Sequence, residues 1–252
     1  MRPLEKWTAG TVTTLDGARF TIPATFVDYH DAKPILCNNF GRCCSYCETA
    51  YNEERDLAVE HIQPKRYKDA AGRYVYAHLE NEWSNFLISC DTCNGADNKD
   101  TKDVAYGQCH LPHLNNTYLS LCYHAGGVVT VNPSLTGQSQ QNAARLLSLV
   151  GLDKSPATSS KGDTRWQTRS RNWDLANRYL AKYLAGKTDV DTIIDLVEGR
   201  GGWSIWFTVF SGHDDVRRAL VNRFPGTASN CFDAVNHYEP IPRNPHNTID
   251  PV

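Results

Sequence analysis

The apolar positions of this chain follow two rhythms, and the change near Pro133 organises it. Ahead of it lie short runs of the kind that form half-buried strands. Alternation over 11–14 and over Arg19–Ile22, around the turn signal Asp16-Gly17, predicts a hairpin, and a short helix is expected over 25–36. Leu57–His61 and 86–89 predict two more strands, with Pro64 closing the first because proline has no N–H for a ladder. A polar helix start is expected over 94–103, then a hairpin pairing 118–123 with 128–131 around Gly126-Gly127. Beyond Pro133 the spacing turns helical. Ala143, Leu146, Leu147 and Val150 fall at i, i+3, i+4 and i+7 before Gly151. A polar linker is expected over 155–163. Trp173, Ala176, Leu180 and Leu184 mark one face of a second helix, and Thr188 caps a third with Val190, Ile193, Ile194 and Val197 as its stripe. The run 203–210 is apolar on both faces and is expected to be core or a partner interface. Residues 214–224 predict a last helix, and the tail from Pro225 has little periodicity.

Composition keeps this picture within the globular class. The 252 residues are 40% hydrophobic and 21% charged, enough to bury a real core. No apolar run is long enough for a membrane span, and the opening MRPLEKWTAG lacks the apolar stretch of a secretory signal, so a cytoplasmic protein is expected. The formal net charge of −2 means that any nucleic-acid binding has to come from local patches.

Candidate chemistry concentrates in residues 44–99. Of nine cysteines, four form the pairs Cys44/Cys47 and Cys90/Cys93, and together they supply the four thiolates of a closed tetrahedral zinc site. Cys43 is the alternate to Cys44, with a looser spacing to Cys47. Such pairing suits metal binding in a reducing compartment better than a disulfide framework. Between the knuckles lie strand, long loop and strand, with a helix start after them: a ββα unit clipped by zinc. His61, at a strand end, is a suitable general base because its unperturbed pKa of about 6.5 allows proton transfer near neutrality. Glu60 offers a hard oxygen to Mg²⁺ or Mn²⁺, Asn94 offers an amide oxygen, and Asn98 is the alternate to Asn94. Asn85 is placed to bond backbone across the loop and fix His61. Lys65, Arg66 and Lys99 are candidate phosphate contacts.

The residues Glu60-His61-Ile62-x-Pro64, then Asn85, then Cys90-x-x-Cys93-Asn94, resemble the HNH (ββα-metal) endonucleases, with Asn in place of the final His. The resemblance implies His61 as general base, Glu60 and Asn94 as ligands of a catalytic Mg²⁺ or Mn²⁺, and Asn85 as loop anchor. A wider set, including FGRCCSYCE, AVEHIQPK, LPHLNNTYLSL, GGVVTVNPSL, LVGLDK and TRWQTRSRNWDLA, is similar to the PtuB subunits of Septu anti-phage systems, which also occur in some retron cassettes. It covers roughly residues 1–180. That similarity implies a defence nuclease acting with an ABC-type ATPase, PtuA. The expected fold is therefore α+β: an N-terminal segment (1–36), a zinc-stapled HNH core (37–135), a helical region (136–225) and an irregular tail (226–252).

The expected substrate is phage DNA, contacted mostly through its backbone, with RNA or tRNA as the alternative. A non-catalytic zinc module that positions a partner on nucleic acid is the third reading. Cys109, His110, His113, Cys122 and His124 are spaced loosely enough that a structural loop is favoured over a second metal. Arg165, Arg169, Arg171 and Arg178 suit a phosphate-tracking face and a solvated helix face equally.

Overall fold

A two-stranded hairpin cannot bury both its faces alone, so each strand pair of this chain has to borrow cover from elsewhere. The computed structural model describes residues 1–14, 17–155, 158 and 162–252. The expectations on Asp16 and on most of the 155–163 linker fall outside the described residues. Within them the fold is mixed α+β, with four antiparallel strand pairs and eight α-helices.

β1 (Gly10–Thr13) pairs with β2 (Arg19–Ile22), Val12 opposite Phe20. The next helix starts later than the sequence suggests. A 3₁₀ turn over Tyr29–Ala32 leads into α1 (Lys33–Phe40), because Pro34 suits the first turn of a helix and Gly41 (φ 76°) closes its end. α1 buries Leu36, Cys37 and Phe40 against the central pair, β3 (Leu57–His61) and β4 (Phe86–Cys90). That pair runs in register from Leu57 opposite Cys90 to His61 opposite Phe86. Every residue of β4 is buried, as expected of a strand covered on both faces.

A single helical turn, α2 (Asp91–Asn94), follows directly; the polar stretch 95–103 continues as turns and not as helix. α3 (Thr117–Ser120) occupies the start of the expected 118–123 strand, because the Asn116 side chain accepts from Tyr118 N and nucleates a turn there. β5 (Leu121–Tyr123) and β6 (Val129–Val131) then pair.

The C-terminal layer is helical: α4 (Gly137–Leu149), α5 (Arg165–Leu184), α6 (Val190–Arg200), α7 (Trp203–Val209) and α8 (Asp214–Arg223). Asp189, not Thr188, caps α6, its carboxylate accepting from Thr192 N at 2.8 Å. The run 203–210 is core: Trp203 stacks on Phe207 at 4.7 Å and Phe207 meets Phe232 at 4.9 Å. α5 departs most from its pattern. Its buried stripe is Arg165, Arg169, Asn172 and Ala176, while Leu184 is 66% exposed.

Contacts cross each expected domain boundary. Met1 and Leu4 lie in the core, and Leu4 N donates to Pro112 O. The tail contains a short pair, β7 (Phe232–Asp233) with β8 (Glu239–Pro240), held by Asn116 Nδ2 donating to Cys231 O and Ile241 O at 2.8 Å each. Glu48, next to Cys47, accepts from Ser204 N at 2.9 Å at the start of α7. Only glycine fits at 201 (φ 73°): a Cβ there would lie 2.0 Å from Glu48 O. No helix among the described residues is long and apolar enough to cross a membrane.

Candidate active site and cysteine cluster

The β3–β4 pair carries two centres. At its Leu57–Cys90 end, Cys44 and Cys47 come from the loop after α1, Cys90 ends β4 and Cys93 sits in α2. The knuckle loop is closed by Glu48 N donating to Cys44 O and by the positive φ of Glu48 (61°). It is pinned to β4 by Ser45 N donating to Ile88 O. The four sulfurs are buried and lie within 4.8 Å of one another. Cys47 Sγ and Cys90 Sγ are 3.7 Å apart, against the edge of about 3.8 Å implied by a ZnS₄ tetrahedron with bonds of about 2.3 Å. Four converging sulfurs at that spacing fit zinc, and Cys43 is not one of them. Burial pushes the Cys44 and Cys93 thiols up, whereas hydrogen bonds from neighbouring thiols, Cys44 foremost, hold Cys47 and Cys90 down.

The second centre is a cleft of about 480 Å³ running along the other side of β3, into which His61 and Asn94 both open. His61 is 9% exposed, wedged edge-on against Tyr29 at 4.8 Å and Phe86 at 5.3 Å. Its Nε2 lies 2.8 Å from Glu80 O. A carbonyl oxygen only accepts, so Nε2 carries the proton and the Nδ1 lone pair is left for chemistry. Burial lowers the imidazole to about 4, so it stays neutral at physiological pH. Asn85 ties the long loop closed beneath it: Oδ1 accepts from Gln63 N at 2.8 Å and Nδ2 donates to Gln63 O at 3.0 Å.

Three expected site residues lie elsewhere. Successive strand residues face opposite sides, so Glu60 points away from the cleft when His61 points into it. It is fully buried, its Oε1 held by Lys99 Nζ at 2.5 Å and by Tyr46 OH at 3.2 Å. Lys99 is as buried as its partner and also donates to His61 O at 2.6 Å, so it braces the backbone beside the cleft and does not line it. Asn98, 1% exposed, donates to Thr92 O at 2.6 Å and packs on Gly151, outside the cleft.

Lys65 and Arg66 do line the cleft. Lys65 is shared with Glu80 at 2.7 Å and lies 3.8 Å above the Tyr29 ring. Sequence reasoning missed Lys33 and Arg55, whose distance along the chain gave no signal, and Asp91. Asp91 is exposed, sits one turn before Asn94, and lines the cleft with it. Its place three residues ahead of Asn94 was the available clue.

The other residues singled out in the sequence do not line the cleft. His110 is fully buried between Ser120 Oγ (2.7 Å) and Asp250 Oδ1 (2.9 Å). Ser139 Oγ and Asn142 Nδ2 donate to the same carboxylate at 2.7 and 2.6 Å, which fastens the tail to α4. Arg165 and Arg169 are buried, so neither tracks a phosphate backbone nor forms a solvated face; Arg171 and Arg178 are exposed.

No family model matches the chain. Among curated proteins it is similar to the Septu protein PtuB of Bacillus mycoides (strain KBAB4), 35% identical over 81 residues. The match covers 29% of this chain and 28% of that relative's length, so the chain spans less than a third of the curated protein it resembles.

Proposed function

We propose that this chain is a metal-dependent endonuclease of the HNH type that cleaves phosphodiester bonds, with phage DNA as substrate, in a Septu-like defence system. The observation that carries the reading is a buried imidazole, its Nε2 proton spent on Glu80 O, that lines a cleft together with Lys33, Arg55, Lys65 and Arg66. A fixed, neutral imidazole is what a base needs to take a proton from an attacking water. The cationic rim suits the phosphates on either side of the scissile bond, despite the net negative charge of the whole chain.

Asn94 and Asp91, which both line the cleft, would supply hard oxygen donors to Mg²⁺ or Mn²⁺. Such an ion neutralises charge developing on the phosphate oxygens. Glu60 is set apart from that task by its position: Oε1 is taken by Lys99 and Tyr46, and the residue, its Oε2 buried, is not part of the cleft lining. Its contribution is to hold Lys99, and through it the His61 carbonyl. The cysteine cluster with zinc is structural. It fixes β4 and the start of α2, and so the positions of Asp91 and Asn94. An ABC-type ATPase of the PtuA kind is the proposed partner, on the partial similarity to PtuB.

The test is cleavage of duplex DNA and of tRNA by the whole chain with Mg²⁺ or Mn²⁺, alone and with such an ATPase. Cation-dependent nicking of DNA is expected. Cleavage of tRNA alone moves the substrate to RNA, and no cleavage of either under all conditions refutes the nuclease reading.

A further inference from the structure

The least expected residue in the chain is Arg165, the first of α5. Seventy-two residues from the second knuckle, it donates through Nη1 to Cys93 Sγ at 3.0 Å. Its other donors are equally committed. Nη1 also reaches Val150 O at 2.8 Å, and Nη2 reaches Gly151 O at 3.0 Å and Asp163 Oδ2 at 2.7 Å. Nε reaches Asp163 Oδ1 at 2.9 Å. A guanidinium has five N–H groups, and here each has an acceptor. The arginine is 8% exposed. One turn on, buried Arg169 donates to Gly127 O at 2.8 Å and Leu152 O at 3.1 Å, closing the same corner.

Four thiolates around one Zn²⁺ carry two net negative charges, and a buried site has to compensate them. Donors to a ligating sulfur draw charge from it and fix its direction, and such outer partners influence affinity nearly as much as the ligands do. The corner also closes on the metal side. Gly151 (φ 61°) lies so near Asn98 that a Cβ there would come 2.0 Å from Oδ1, and Asn98 in turn holds Thr92, beside Cys93.

We propose that Arg165 holds the Cys93 sulfur in place for zinc, and that zinc retention and the seating of α5 are thereby one linked equilibrium. Arg165 is a positioning residue: it touches a ligand atom, not the metal or a substrate. The inference needs only the cysteine cluster and stands or falls apart from the nuclease reading. Its consequence is that the helical layer senses the metal. Losing zinc loosens the sulfur partner of one Nη1 N–H and leaves Nη1 its bond to Val150 O, and displacing α5 removes a donor from Cys93.

The test compares Arg165→Met and Arg165→Lys with Arg171→Met, an exposed residue of the same helix. Zinc release to a chromogenic chelator is expected to accelerate about tenfold or more in Arg165→Met. It should be partly restored in Arg165→Lys and unchanged in Arg171→Met. The sulfur-to-metal charge-transfer band of the cobalt-substituted protein should shift in Arg165→Met, which a mere brace between α4 and α5 would not cause. A native release rate with an unshifted band overturns the proposal. If Arg165→Met does not fold, hydrogen exchange on the native chain decides. Stripping zinc should deprotect the first turns of α5 ahead of α8, and unchanged α5 protection would refute the link.

Discussion

The cysteine cluster and the His61 cleft share one strand pair, yet they are built in opposite ways. The cluster is enclosed, made of four identical atoms from two tight repeats, and its ligand set could be read from spacing alone. The cleft is open and heterogeneous. Its lining comes from the 3₁₀ turn at Tyr29, α1, the 3₁₀ turn at Arg55, β3, the long loop, α2 and the turn at Asp100 and Thr101. The difference is one of information. Two residues between cysteines dictate a geometry, whereas side chains gathered from seven segments do so only once those segments are packed.

Breaking the cluster should have the largest effect. Structural zinc contributes on the order of 10 kcal/mol of folding free energy in small zinc domains. Cys47→Ser is therefore expected to lose zinc and cooperative unfolding together, as seen by metal analysis and thermal melts. A zinc-free variant that melts like the native chain would reduce the cluster to ordinary core.

Glu60→Gln acts between the two centres. It leaves the Lys99 ammonium buried without its counter-charge, and the cost of such a broken buried pair is about 3–5 kcal/mol. Urea unfolding should show that loss. Mn²⁺ affinity, read by electron paramagnetic resonance, should stay native. Asp91→Asn should do the reverse: native stability, with Mn²⁺ bound about tenfold more weakly, a change of about 1.4 kcal/mol. Were Glu60→Gln to abolish Mn²⁺ binding and Asp91→Asn to spare it, the assignment of the two carboxylates would be inverted.

The gentlest probe is pH. Burial holds the folded His61 at about 4, below the unfolded value of about 6.5, so the unfolded chain binds the proton first. That contribution is intact above pH 6.5 and is lost as pH falls towards 4. His61→Gln should flatten the dependence in that window. An unchanged slope would mean that other buried histidines, such as His113, lowered to about 3 chiefly by burial, dominate it.

Much of the fold was legible because local rules suffice for it. β3 spans the expected residues, α4 ends just short of Gly151, α6 runs from its Asp189 cap to Gly201, and α8 falls within the expected 214–224. Two kinds of residue escaped. Glu60 and Lys99 look like surface chemistry in any sequence, and only mutual neutralisation lets both be fully buried. Arg165 and Arg169 look like a basic helix face, yet they satisfy a corner of backbone carbonyls and a sulfur that are distant in the chain. Periodicity marks where apolar surface goes; it cannot mark where a charge finds its partner.

The most direct test of the central claim, that base and zinc are separate centres on one scaffold, is made on a single preparation of His61→Ala. Zinc per chain and the rate of Mg²⁺-dependent DNA cleavage are measured together against the native protein. Native zinc and melting temperature are expected, with cleavage reduced about 10²–10⁴-fold. Cleavage that survives the substitution would mean that His61 is not the base, and zinc lost along with it would mean that the two centres are not separate.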